Sequence, residues 1–201
     1  MSSRRSTQGT FDDAELVRRV RSGENSAFDR LVERYQRRAA SIAFRLLGDL
    51  HDALEVCQDA FVRACRGLDT LTDAGRFGPW FLRIVTNVSL NFRRARGKRA
   101  RHYSLEDCTL DGNGGRGRSP AEARHLDERP GAELAAAELG RLVYQAIGEL
   151  PERQRAALVL FSIEQLPQRV VAEILRCSVE AVKWHVFQAR KKLRARLAPH
   201  L

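Results

Sequence analysis

Residues 111–117 read DGNGGRG, a run that can hold neither a helix nor a strand. Around it, from about 101 to 130, apolar side chains are sparse, so the segment is expected to be a flexible linker. This feature forces the chain into two small domains, 11–100 and 133–201, joined by a linker at 101–132. Each domain must then bury its own core. The hydrophobic fraction of 43% is sufficient for that.

Both flanks have helical periodicity. Asp12 and Asp13 are suited to cap a helix carrying Leu16, Val17 and Val20, and Gly23 ends it. A second helix is expected from about Ser26 to Leu47, with Phe28, Leu31, Tyr35, Ala39, Ile42 and Leu46 on one side. Gly48 stops it. A third runs from about His51 to Gly67 on a stripe of Ala53, Val56, Cys57, Ala60, Phe61 and Ala64. A fourth begins near Pro79, carries Phe81, Val85, Val88 and Phe92, and is expected to dissolve into the basic run that follows. Beyond the linker, Leu139, Leu142, Val143, Ala146, Ile147 and Leu150 make another amphipathic helix. Pro151 opens the next, which is expected to reach Ile163. Two short helices, 167–175 and 178–197, close the chain. No segment alternates as a strand does, so the fold is expected to be all-α.

The net charge is +10, and its distribution is uneven. Six basic residues and no acid lie between 93 and 101, and six more follow Glu180 with no acid after it. Two such patches point to a polyanionic partner, nucleic acid above all. No apolar run is long enough to span a bilayer, and MSSRRSTQGTFDD lacks the apolar core of a secretory signal, so a cytoplasmic location is expected by default. The cysteines, Cys57, Cys65, Cys108 and Cys177, form no C-x-x-C pair, and no histidine stands at zinc-finger spacing. Three of them fall on apolar helical positions and read as core. Neither a metal nor a cofactor is expected.

The last two helices can form a helix-turn-helix, whose second member lies in the major groove. Val170, Val171, Ile174 and Leu175 can pack on Val182, Val186 and Ala189, with Ala172 allowing close approach and Ser178 as N-cap. The opposite face presents Lys183, Trp184, Phe187, Gln188 and Lys191. Gln188 can bond an adenine edge, Phe187 can touch a thymine methyl, and Lys183, Arg190, Lys191 and Lys192 can meet phosphates. Left exposed beside those charges, Trp184 and Phe187 are hard to explain as a merely solvated face.

These residues resemble a family. LPERQR at 150–155, the helix-turn-helix and ARKKL at 189–193 are similar to domain 4 of a bacterial sigma factor, the extracytoplasmic-function (ECF) group of the sigma-70 family in particular. Ala27-Phe28, DALEVCQDAF at 52–61 and FGPWFLRIVTN at 77–87, followed by Asn91, Arg93 and Arg94, resemble region 2 of the same family. The resemblance implies a subunit that binds core RNA polymerase and directs it to promoters for transcription initiation. It implies that Glu55, Gln58, Asp59 and Arg63 face a coiled coil of the β′ subunit, and that the C-terminal domain meets the β flap. It further implies that Asn87 and Asn91 read the −10 element as it melts, with Arg83, Arg93, Arg94, Arg96 and Lys98 on the phosphates. The C-terminal helix-turn-helix would read the −35 element, and an anti-sigma factor is a partner common in the family. The chain departs from the pattern at Leu54, where an acid is common, at Arg176, in place of the turn glycine, and at Trp184 and His185 in the recognition helix.

A stand-alone regulator with the same helix-turn-helix would need neither the 52–61 pattern nor Asn87 with its basic extension. A nuclease would need clustered carboxylates or an activated nucleophile, and the acids here are spread along outward helix faces. The chain is therefore not expected to be an enzyme.

Overall fold

The computed structural model describes residues 12–106 and 130–200, and the central part of the expected linker, 107–129, lies outside the described residues. Within them the secondary structure is helical and contains no strand. The first domain comprises α1 (Asp13–Arg21), α2 (Asn25–Leu47), α3 (Leu50–Gly67) and α4 (Phe77–Glu106). The second comprises α5 (Pro130–Glu149), α6 (Glu152–Leu158), α7 (Gln168–Leu175) and α8 (Val179–Leu197).

The caps follow the chemistry of the sequence. The Asp12 carboxylate accepts from the Ala14 amide, and Asp49 accepts from Asp52 at 3.0 Å. Gly48 ends α2 with φ at +90°, a conformation that favours glycine. In the first domain α2, α3 and α4 pack on one another and α1 lies across α2. Their centre is Leu16, Leu31, Ile42, Val56, Ala60, Phe81 and Val85, all buried. An aromatic cluster extends it: Tyr35 meets Phe77 and Phe81 edge-on, and Phe61 stacks on Phe81 at 4.5 Å. Gly78 belongs to that packing, because a Cβ there would come within 2.7 Å of the Tyr35 hydroxyl.

Three features differ from expectation. The helix α4 does not dissolve at the basic run but continues to Glu106. Arg, Lys and Ala are good helix formers, and no breaker other than Gly97 intervenes. The helix expected to reach Ile163 instead changes at Val159 into a π turn, Val159–Ile163, closed by Glu164 N–H donating to the Val159 carbonyl at 2.9 Å. Of the three cysteines expected at helical core positions, only Cys57 is buried; Cys65 is exposed on α3, and Cys177 is half-buried in the turn between α7 and α8. Burial pushes the Cys57 thiol up to about 11.

The two domains touch. Phe44 stacks on Tyr144 at 5.0 Å, and the Tyr144 hydroxyl donates to the Phe44 carbonyl at 2.7 Å. Burial there pushes the phenol up to about 12. Arg155, only 2% exposed, donates to the carbonyls of Ile147, Gly148 and Leu150 in its own domain and to Leu46 in the other. No described helix is long and apolar enough to cross a membrane.

Candidate nucleic-acid interface

The helix-turn-helix is α7 and α8. Val171, Ala172 and Ile174 are buried against Val182, Val186 and Ala189. Between the helices Arg176 adopts φ +51° and ψ +56°, the left-handed conformation that a turn glycine usually supplies. Cys177 N–H closes the turn on the Ala172 carbonyl at 3.0 Å. The Ser178 hydroxyl then accepts from Ala181 N–H at 3.1 Å and starts α8, as its residue type predicts.

Turned away from that packing, α8 presents Lys183, Trp184, Phe187 and Lys191 to solvent, with Gln188 half-buried beside them. Trp184 is 53% exposed and Phe187 63%. Two large aromatic rings one turn apart, flanked by lysines, form a face able to meet both bases and phosphates. Arg190 does not join it: its guanidinium lies 5.9 Å from the Phe161 ring centroid and donates to the Ser162 hydroxyl. His185 points inward, its Nδ1 buried without a partner, and burial, with Arg153 nearby, holds its pKa below the usual imidazole value.

On α4, Asn87 and Asn91 are exposed one turn apart, while Thr86 and Ser89 are buried and donate back to the carbonyls of Leu82 and Val85. Arg83 is half-buried on the same helix. Three further arginines are engaged within the molecule. Arg93 donates to the carbonyls of Leu46 and Gly148 at 3.0 and 3.1 Å, Arg94 grips Glu152 through two hydrogen bonds, and Arg96 pairs with Asp52. Of Lys98 the structure describes the backbone alone. Trp80 is half-buried and packs against Phe77 and Gly67.

The outward face of α3 carries Glu55, Gln58 and Arg63, exposed, and Asp59, half-buried and ion-paired with Arg63 at 2.9 Å. Leu50, Leu54 and Val62 are also exposed on this helix, Leu54 at 49%. Apolar side chains alternating with charges on an uncovered helix suit a protein partner. His51, Asp52 and Glu55 bring potential ligand atoms within 4.8 Å of one another, but the Asp52 carboxylate is already bound by Arg96.

Comparison with known proteins gives this geometry a family. Residues 31–99 match the model of sigma-70 region 2, and residues 140–193 match that of sigma-70 region 4. The chain is 31% identical over 137 residues to the ECF RNA polymerase sigma-E factor of Haemophilus influenzae, covering 67% of this chain and 68% of that one. It is 38% identical over 87 residues to the RNA polymerase sigma-H factor of Pseudomonas aeruginosa, a match that spans 43% of this chain and 45%, about half, of that relative. Among solved structures, CnrH in complex with the cytosolic domain of CnrY aligns with a TM-score of 0.66 and 28% identity, covering 94% of this chain and 99% of the other. The Bartonella quintana sigma factor RpoE, in complex with the anti-sigma factor NepR, shares the fold at a TM-score of 0.62 and 20% identity, covering 85% of this chain and 96% of that one. The chain belongs to the ECF branch of the sigma-70 family.

Sequence reasoning did not find the residues that join the domains: Glu164, Arg155, Arg38, Arg45 and Tyr144. A contact between residues more than a hundred positions apart leaves no periodic mark. The one local signal was Arg155 itself, a charge standing directly before the apolar run from Ala156 to Leu160.

Proposed function

We propose that this chain binds core RNA polymerase in the cytoplasm and directs it to promoters for transcription initiation. It is a specificity subunit and not an enzyme. The observation that carries this is the pairing of two family matches in order, region 2 on the first domain and region 4 on the second, each with a solvent-facing surface of the required chemistry.

In this reading α8 enters the major groove of the −35 element. Lys183 and Lys191 meet phosphates, and Trp184, Phe187 and Gln188 meet base edges. Asn87 and Asn91 engage the −10 element, and Arg83, Arg93 and Arg94 hold its backbone. Melting needs no covalent step: it follows if unpaired bases bind α4 better than paired ones, because the equilibrium shifts by that difference in affinity. Glu55, Gln58, Asp59 and Arg63 dock on the β′ coiled coil, and the second domain on the β flap. The complex of RpoE with the anti-sigma factor NepR supports an anti-sigma factor as a further partner here.

Co-purification with core polymerase tests the reading. Wild type is expected to be retained, and Asp59→Arg, which places a cation in that face, is expected to reduce retention at least about ten-fold, the scale of a lost interfacial charge pair. Unaltered retention of the variant would reject this face as the docking site. Absence of retention for wild type would reject the reading as a whole.

A further inference from the structure

The first domain's −10 arginines already have an occupant. Arg94 grips Glu152, and Arg93 donates to the Gly148 carbonyl, both acceptors belonging to the second domain. A second contact secures the arrangement. The Glu164 carboxylate, whose side chain is only 11% exposed, sits in a socket on α2, where Arg38 and Ser41 donate to it at 3.2 and 3.0 Å and Arg45 at 3.3 Å. Arg38 also donates to the Glu164 backbone carbonyl at 2.8 Å. Among the described residues, the partners of this side chain all lie in the first domain, and it stands immediately after the π turn that follows α6. Glu164 is thus aimed across the interface rather than into its own core.

We propose that this chain occludes itself, with Glu164 as the latch: while Glu164 fills the Arg38–Ser41–Arg45 socket, the second domain occupies Arg93 and Arg94, and DNA phosphate must displace it. The proposal rests on the assignment of Arg93 and Arg94 to DNA. Two further observations agree with it. The closed form leaves the α3 face and the α8 reading face exposed, so polymerase and −35 contacts remain open to it while the −10 backbone contact does not. The geometry also demands release. Elements centred about 25 base pairs apart lie roughly 85 Å from each other along B-form DNA. A compact chain of this length has a radius of gyration of about 17 Å, so the closed form cannot reach both.

The test uses the full chain. Small-angle X-ray scattering reports the radius of gyration, and fluorescence anisotropy with a labelled random-sequence single-stranded oligodeoxynucleotide reports access to the −10 arginines. Glu164→Arg, which faces Arg38 and Arg45 with a like charge, is expected to expand the chain and tighten oligonucleotide binding. If about 90% of the wild type is closed, the gain is about ten-fold. Arg45→Glu combined with Glu164→Arg is expected to restore both values toward wild type, which damage to the fold would not do. Asp69→Arg adds the same charge on an exposed turn and is expected to leave the radius unchanged and to alter binding far less. An unchanged radius in Glu164→Arg would overturn the latch. So would an expansion that the charge swap fails to reverse. Expansion with unaltered affinity would overturn the occlusion. If the oligonucleotide binds neither wild type nor variant while the radius responds, the latch stands and the assignment of the arginines to DNA fails.

Discussion

Arg93 of the first domain and Arg155 of the second donate to the same two carbonyl oxygens, those of Leu46 and Gly148. Leu46 lies in the last turn of α2 and Gly148 in the last turn of α5. Two helix C-termini, each carrying partial negative charge, therefore approach one another, and two guanidinium groups neutralise the pair. Arg155 is buried and donates to four backbone carbonyls, so it organises its own domain as well as the contact. Arg93 carries the cost of desolvation, which lowers its pKa below the ordinary guanidinium value, and a DNA phosphate offers it a better partner than a carbonyl.

The turn of the helix-turn-helix holds an arginine in a left-handed conformation, which costs a residue with a Cβ roughly 1–2 kcal/mol. Arg176→Gly removes that strain and returns part of it as extra chain entropy in the unfolded state. A net stabilisation of about 0.5–1 kcal/mol is expected, read as a rise in the urea midpoint with an unchanged slope. A lower midpoint would mean that the Arg176 side chain contributes more than its backbone costs.

The reading face of α8 separates specificity from affinity. Gln188→Ala is expected to relax the preference at one position of the −35 element by about 1–3 kcal/mol in a binding selection. Lys191→Ala is expected to weaken all sequences alike and to lower the salt slope of duplex binding by about one. Unchanged base preference in Gln188→Ala would show that α8 docks in a different register.

Asn87 and Asn91 stand exposed on either side of the buried run Val88, Ser89 and Leu90, so their removal leaves the core of α4 intact. Each alanine replacement is expected to weaken binding of the single-stranded non-template −10 sequence by about 1–3 kcal/mol while melting temperature is unchanged. A loss shared equally by scrambled single strands would assign these residues to the backbone rather than to bases.

His185 gives a pH signature. Its folded pKa lies below the unfolded value of 6.5, so the unfolded chain takes up the proton first as pH falls. The stability it contributes is complete above about pH 6.5, declines as pH drops below that value, and levels off once the folded pKa is passed. Thermal unfolding of His185→Gln should therefore lose less stability than wild type between neutral and mildly acidic pH. Parallel curves would place the imidazole in contact with solvent.

Much of this architecture is legible in the sequence because it is local. Steps of three and four placed α2 and α3, Gly48 marked a helix end and Ser178 a helix start. The positive φ at Arg176 is where the expected turn glycine was missing. The reach of α4 to Glu106 was obscured because arginine-rich segments are as compatible with a solvated helix as with a linker. The π turn after Leu158 left no pattern, since VLFSI, apolar except for Ser162, suits either helical form. The contacts of Glu164 and Arg155 were invisible for a different reason: each joins the two domains, and a single carboxylate just past a helical turn carries no sign of what it meets.

The central claim is that this chain gives core polymerase its promoter choice. Run-off transcription by core polymerase with this protein, on a library of randomised promoters, tests it most directly. The expected transcripts come from templates that share two motifs at a fixed spacing, the upstream one sensitive to Gln188→Ala and the downstream one to Asn87→Ala. Transcripts no more abundant than with core polymerase alone, or templates without paired motifs, would contradict it.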